Sequence, residues 1–464
     1  MALLGLSGTP LLVLLLGATL LVGFGADWLA SRFRVPDVLW LIALGFVAGP
    51  VLGLLSASSL LVIAPVLGAT TLMLILFDAG LDLRISRVRP LAGSALLFAL
   101  TSYVASVAVI YVAGYLVLFP KHSVLSLLFA AALGCTSGAV IIPLANRLGL
   151  ATGLRSFLQL DGAVEDALAV ITVTTILALR APSSSSLALS VTASLVLPLP
   201  VGIGFGLAAG LIWLLFLYAW QNRPFVALAT LGFLFVTFAV TEAFGGSGIL
   251  AAIIFGVVVG NEELVRPFLR RSRPFQISHD LRKVEVEIAF VLRSFFLFLI
   301  GLFAVVSNPG LVESVTLIVL VAVLLFLRQG VVLGVTRPRS IPRAWSGPIA
   351  SFYGRGLTSA VLLIVALEQV PEVSQLFLPG LLLIVGTNIA MTLWLFASPT
   401  RPEPSADEAE RRWAAAAPEL IAFSGEDATA LAPDPAESRT AEDLARVPSP
   451  GGSRAPPPLP RRKE

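Results

Sequence analysis

Cysteine, histidine and charge are all scarce in this chain. It has one cysteine, Cys135, in 464 residues, which excludes a disulfide framework and a Cys-based metal site. The two histidines, His122 and His279, fall in loops rather than in apolar runs, so neither reads as a metal ligand, although either can serve pH sensing. Charged residues make up 13% of the chain, against about 25% in an average soluble protein. No HExxH motif occurs, nor a GxSxG motif with a partner, which leaves a membrane-embedded enzyme without its machinery. The formal net charge of +3 is too small to imply nucleic-acid binding. What the chain has instead is apolar surface: 57% hydrophobic residues and a mean hydropathy of +0.93. An all-α polytopic membrane protein follows.

A bilayer core of roughly 30 Å takes about 20 apolar residues per helix. Thirteen such spans are predicted near residues 10–30, 38–55, 59–82, 91–119, 123–146, 156–179, 190–220, 224–243, 247–260, 285–306, 311–334, 346–367 and 374–397. Loops after odd-numbered spans carry seventeen Lys and Arg residues and loops after even-numbered spans only Lys121 and Arg180. Positive loops stay cytoplasmic, so the expected topology has the amino terminus outside and the carboxyl terminus inside. The boundary of the transmembrane domain is set at residues 1–400. The tail, 401–464, holds 12 of the 28 acids and ends in PPPLPRRKE; its Pro, Ala, Glu and Ser content predicts a disordered cytoplasmic segment.

Charge inside a span is costly and by default marks an ion or substrate path. The densest cluster is LQLDGAVEDALAV at 158–170 in span 6. Asp161 and Glu165 are four apart and share a helix face, while Asp166 lies about 100° around. Three carboxylates so close cannot all stay ionised without cations nearby. Arg328 in span 11 and Arg355 in span 12 are candidate partners. A plain helix-to-helix ion pair is the alternative use for such acids, most of all for Asp161. Where a carboxylate competes between a proton, an alkali cation and a base, it can run cation/proton exchange.

Two spans read as interrupted. Span 5, AALGCTSGAVIIPLANRLG, contains Gly134, Gly138 and Pro143 with Thr136 and Ser137 among them, and span 12 breaks around Gly354 and Gly356 beside Arg355. Broken helices in secondary transporters offer backbone groups to ions; glycine in a membrane helix also simply permits close packing. Spans 5 and 12 hold matching places if spans 1–6 and 8–13 are two inverted six-helix repeats, with span 7 between them inverting the second copy.

The segments LMLILFDAGLDL (72–83), GCTSGAVIIP (134–143), DGAVEDALAV (161–170), GGSGILAAIIFGVVVGN (245–261), RSFFLFLIGLF (293–303), FLRQG (326–330) and YGRGLTSA (353–360) together resemble the cation/proton antiporter superfamily, most closely its Na+/H+ exchanger family (bacterial NhaP/NapA-like). The resemblance covers about residues 10–397. It implies crossed broken helices in spans 5 and 12 and alternating access of elevator type in a homodimer within the lipid of a bacterial inner (plasma) membrane, with Na+ (or K+ or Li+) and H+ as partners, no cofactor and no nucleic acid. It also implies roles. The ion-binding acidic pair falls on Glu165 and Asp166, with Asp166 binding cation or proton. The glutamate one turn earlier falls on Asp161 and its arginine on Arg355, while the base that serves the pair falls on Arg328. The crossover motif falls on Thr136 and Ser137, and an acid of the ion path on Asp78. Here the crossover reads Thr-Ser-Gly without the usual aspartate and proline, and a serine ligand common in the family is Gly162.

The expected function is exchange of a monovalent cation, Na+ with Li+ or K+ as alternatives, for protons. A K+/H+ antiporter or a channel-like K+ efflux protein of the same fold is the alternative. Glu165 as a second proton carrier predicts electrogenic exchange, unless Arg328 holds it. Arg293 is read as an anchor of span 10, Glu242 as facing the outer interface, and 262–287 as a basic segment on the inner membrane surface.

Overall fold

The computed structural model describes residues 9–33, 35–53, 64–83, 85–180, 197–220, 225–266, 279–302, 310–336, 343–370 and 374–397, with Arg223 and Ala304. Among them every regular element is a helix. In chain order they are α1 (Thr9–Phe33), α2 (Asp37–Phe46), α3 (Ala64–Asp82), α4 (Ile85–Ala113), α5 (Ser123–Leu133), α6 (Gly138–Arg147), α7 (Thr152–Arg180) and α8 (Pro198–Trp220). There follow α9 (Val226–Ala243), α10 (Gly248–Gly260), the short α11 (Glu262–Val265), α12 (His279–Leu302), α13 (Leu311–Thr336), α14 (Arg343–Ser351), α15 (Leu357–Gln369) and α16 (Ser374–Ala397). Short π-turns extend α2 over Val47–Val51, around Pro50, and α4 over Gly114–Leu118. The tail from 401 lies outside the described residues.

Six stretches among the described residues are long and apolar enough to cross a membrane, among them Ala92–Leu118, Ser123–Arg147 and Leu311–Gly334. Shorter apolar helices such as Gly248–Gly260 lie between them. Large apolar side chains point outward, including Leu311, Ile318, Phe326 and Leu393. In water that surface would be a liability; facing acyl chains it is the ordinary exterior.

The helices pack as two groups. One holds α1, α2, α3, α8, α9, α10 and α12, and the other holds α4, α5, α6, α7 and α13 to α16. Phe77, Trp213, Leu234, Phe255 and Val259 form a core of the first group. Two helix pairs in it come together on reciprocal glycines. A Cβ on Gly256 of α10 would strike the Phe77 carbonyl of α3, and one on Gly80 of α3 would strike the Ile253 carbonyl of α10. Gly45 of α2 and Gly301 of α12 stand in the same relation to the Phe298 and Ile42 carbonyls. In lipid there is no water to drive helices together, so backbone approach over small residues supplies the contact.

Two sequence expectations change. α12 begins at His279, six residues before the predicted start of span 10, so part of the basic 262–287 segment is a helical extension leading into that span. Glu242 does more than face an interface, because its Oε1 accepts the Gly248 N–H at 2.7 Å and so satisfies a donor at the start of α10.

Candidate functional site

The interruptions anticipated in spans 5 and 12 are where the two chain segments meet. α5 ends at Leu133 and α6 begins at Gly138; α14 ends at Ser351 and α15 begins at Leu357. At the crossing, Ser137 N–H donates to the Gly354 carbonyl at 3.0 Å. A Cβ on Gly356 would lie 2.8 Å from Ser137 Oγ and 2.6 Å from Val140 Cγ2, so close approach dictates glycine there.

A break leaves four half-helix ends at membrane depth, each with unsatisfied backbone groups and a partial charge. Three of them are met by the buried charged residues. At the carbonyl end of α5, Arg355 Nε donates to Leu133 O. At that of α14, Arg328 Nε donates to Ile349 O at 3.2 Å. Just before α6, Thr136 N–H donates to Glu165 Oε2 at 2.5 Å, and Thr136 Oγ1 donates to the same oxygen at 2.8 Å. The Gly138 N–H faces the carboxylate of Asp166, a donor that a proline at that position would lack. Loss of the usual crossover aspartate is thus offset by acids on α7 and arginines on α13 and at the second break.

Asp161 and Glu165 are fully buried and Asp166 is 2% exposed. Arg328 bridges the first two: its Nη2 lies 2.5 Å from Asp161 Oδ2 and its Nη1 lies 3.4 Å from Glu165 Oε1. Nη1 also reaches Ser102 Oγ at 3.2 Å, and the guanidinium sits 5.0 Å from the centre of the Phe98 ring. The shared helix face of Asp161 and Glu165 lets one arginine serve both acids.

This corrects one expectation. Asp161 pairs with Arg328 and not with Arg355. Arg355 lies inside the second break, where its side chain is drawn to the open carbonyl end of α5. Its own backbone is held by α16: the Arg355 N–H donates to Thr387 Oγ1 at 3.3 Å, and Asn388 Nδ2 donates to Arg355 O at 2.5 Å. Thr387 and Asn388 were missed by sequence reasoning, although a polar Gly-Thr-Asn inside an apolar span was a visible signal. Ser102, in α4, gave no such signal among its serine and threonine neighbours.

Asp166 differs from its neighbours. It projects from a different side of α7, with the side chains of Thr358 and Cys135 facing it, and its Oδ1 is buried without a hydrogen-bond partner. Ser137 Oγ, at the crossing, is likewise buried and unpartnered. Gly162 packs backbone to backbone on the start of α6, where a Cβ would lie 2.8 Å from Gly138 Cα; no serine side chain fits. Asp78, half-buried on α3, lies in the other helix group. The cluster holds three carboxylates and two guanidinium groups. One monovalent cation or one proton completes its charge balance.

A family model described as "Sodium/hydrogen exchanger, transmembrane" matches residues 16–397. The chain is 26% identical over 261 residues to the K(+)/H(+) antiporter NhaP of Alkalimonas amylolytica, a match covering 55% of this chain and 44% of that protein. It is 24% identical over 165 residues to Na(+)/H(+) antiporter 1 of Methanocaldococcus jannaschii, covering 35% of this chain and 39% of the relative. The matches therefore span less than half the length of these relatives. In fold it is similar to the sodium proton antiporter MjNhaP1 from M. jannaschii at pH 8, with TM-score 0.67, 18% identity, and 82% of this chain and 95% of that one covered. An electron-microscopy structure of MjNhaP1 gives TM-score 0.69 at 17% identity, covering 86% of this chain and 100% of that one.

Proposed function

The chain belongs to the sodium/hydrogen exchanger family, and on that premise we propose that it exchanges a monovalent cation for protons across the membrane. The observation that carries the proposal is the division of labour among three buried acids. Asp161 and Glu165 are engaged by Arg328 and Thr136, whereas Asp166 keeps a buried oxygen without a partner. An ion arriving at the crossover meets that oxygen with Ser137 Oγ also unpartnered. Asp166 takes either a proton or the cation; Glu165, Thr136 and Ser137 complete the site; Asp161, Arg328 and Arg355 hold it together. Asp78 serves the approach of the ion.

Exchange is one for one and electroneutral, because one positive charge closes the balance of three acids and two arginines. The engagement of both Glu165 oxygens supports this reading over the electrogenic expectation, in which Glu165 carries a second proton. Na+ is the first candidate cation. The name of one relative, a K(+)/H(+) antiporter, favours K+ as the second reading, with Li+ also to be tried. A channel-like K+ efflux route is disfavoured by a carboxylate that binds rather than merely lines the path.

The architecture proposed is thirteen spans in two inverted repeats, amino terminus outside, working as an elevator in a homodimer of the inner membrane, with 401–464 as a disordered cytoplasmic tail. The glycine pairs support the repeats. Exchanging spans 1–6 with 8–13 turns the α3–α10 contact, between spans 3 and 9, into the contact of spans 10 and 2, which is α12–α2. The two helix groups support relative movement of one against the other. Flux in proteoliposomes driven by a pH gradient, titrated separately with Na+, Li+ and K+, tests the reading. Saturable cation-dependent collapse of the gradient is expected, and cation flux indifferent to the gradient would reject exchange in favour of a channel.

A further inference from the structure

Pro143 sits inside α6 and has no N–H, so the carbonyl of Ala139, one turn earlier, has no donor within its own helix. Its donor comes from the other helix group. Arg293 Nη1, on α12, lies 3.3 Å from Ala139 O. The same guanidinium pairs through Nη2 with Asp37 Oδ2 at 2.5 Å, and the two side chains are only 13% and 4% exposed. Asp37 opens α2, where its Oδ1 also accepts the Val38 N–H at 3.0 Å.

α2 and α12 are the pair locked together on Gly45 and Gly301. Their buried ion pair is therefore a fixed feature of the first group. α6 belongs to the group that carries the acid cluster, and Ala139 is the residue after Gly138, whose N–H faces Asp166. Two further contacts cross between the groups in the same half of the molecule. Gln159 Nε2 of α7 donates to Ala79 O of α3 at 2.9 Å, and Arg147 at the end of α6 pairs with Asp27 of α1 at 2.5 Å.

We propose that Arg293 is a positioning residue that latches the site-bearing half-helix α6 to the opposing helix group, with Pro143 freeing the acceptor and Asp37 anchoring the donor. The proposal rests on the exchange reading, since it concerns the movement that exchange requires. α6 runs from the crossover towards the arginine-rich loops, so the latch lies between the exchange site and that side of the membrane. When α6 is displaced, Arg293 keeps Asp37 while Ala139 O must find water. The contact thus favours the conformation in which it forms, and the fraction of molecules open to the arginine-rich side sets the apparent affinity there.

The test uses the full chain in vesicles whose arginine-rich loops face the bath, with Na+ as probe and apparent KM and maximal rate read separately. Arg293→Gln is expected to lower KM several-fold. Pro143→Ala, which returns an N–H to Ala139 O, is expected to lower it similarly, and the double variant no further. Arg293→Lys, which keeps one donor and the pair with Asp37, is expected to restore the KM of the unaltered protein. Multiplying effects in the double variant, or a change in maximal rate alone with KM unmoved, would overturn the proposal. If the unaltered protein shows no Na+ flux, K+ or Li+ serves as the probe; if none of the three is exchanged, the exchange reading fails first, and hydrogen exchange of residues 138–147 decides the latch: faster exchange in Arg293→Gln than in Arg293→Lys upholds it, and equal exchange overturns it.

Discussion

Asp166 and Glu165 are adjacent in sequence and opposite in circumstance. Glu165 has both oxygens engaged by Thr136 and Arg328, while Asp166 holds an oxygen in reserve. Asp161 shares the guanidinium of Arg328 at 2.5 Å. Removing one member of a buried pair leaves the other uncompensated, at about 3–5 kcal/mol. Asp161→Ala and Arg328→Ala are each expected to lower thermal stability in detergent by an amount of that order, with part recovered in the double variant. Asp161→Ala and Arg355→Ala are expected to combine additively, because those residues do not share a contact; strong coupling between them would return Asp161 to the second break. At this scale the sequence brought out the charged residues that the structure buries together, but not how they pair. The acids and arginines stand out because charge in an apolar span is rare. Which arginine serves which acid depends on where α13 and the second break lie in space, and spacing along the chain carries no such information.

The broken helices were legible because glycine, serine and proline cluster inside otherwise apolar runs. Their crossing was carried by the family resemblance and not by the spacing, since the Ser137–Gly354 hydrogen bond joins residues 217 positions apart. Glycine also meets glycine between α6 and α7. A methyl group on Gly162 would lie 2.8 Å from Gly138 Cα and 2.9 Å from Gly138 N, and both are backbone atoms that cannot rotate away. Gly162→Ala is expected to push α7 off the crossover, costing roughly 1–3 kcal/mol of stability and removing most exchange. Gly204→Ala, where nothing lies within 4 Å of the added carbon, is expected to leave both unchanged. Equal behaviour of the two variants would show that the close approach is unimportant. The early start of α12 escaped the sequence because its first turns, HDLRKVEVE, are too polar to register as part of a span, although the helix continues straight out of it.

For the whole molecule, the balance of buried charge sets what can be moved. On the proposed one-for-one exchange, three acids and two arginines buried together leave each half-cycle one positive charge to carry, the cation in one direction and the proton in the other. Flux at a fixed pH gradient is therefore expected to be indifferent to a membrane potential imposed with an ionophore, and a clear voltage dependence would restore Glu165 as a second proton carrier. The central claim is narrower: the exchange of cation for proton happens on the Asp166 carboxylate. It is tested most directly by collapsing a preset pH gradient with added cation in proteoliposomes that hold either the unaltered protein or Asp166→Asn, matched for folded protein. The unaltered protein is expected to dissipate the gradient on cation addition while the variant stays at the rate of empty liposomes. Cation-coupled proton flux in the variant at more than a small fraction of the unaltered rate would contradict the assignment.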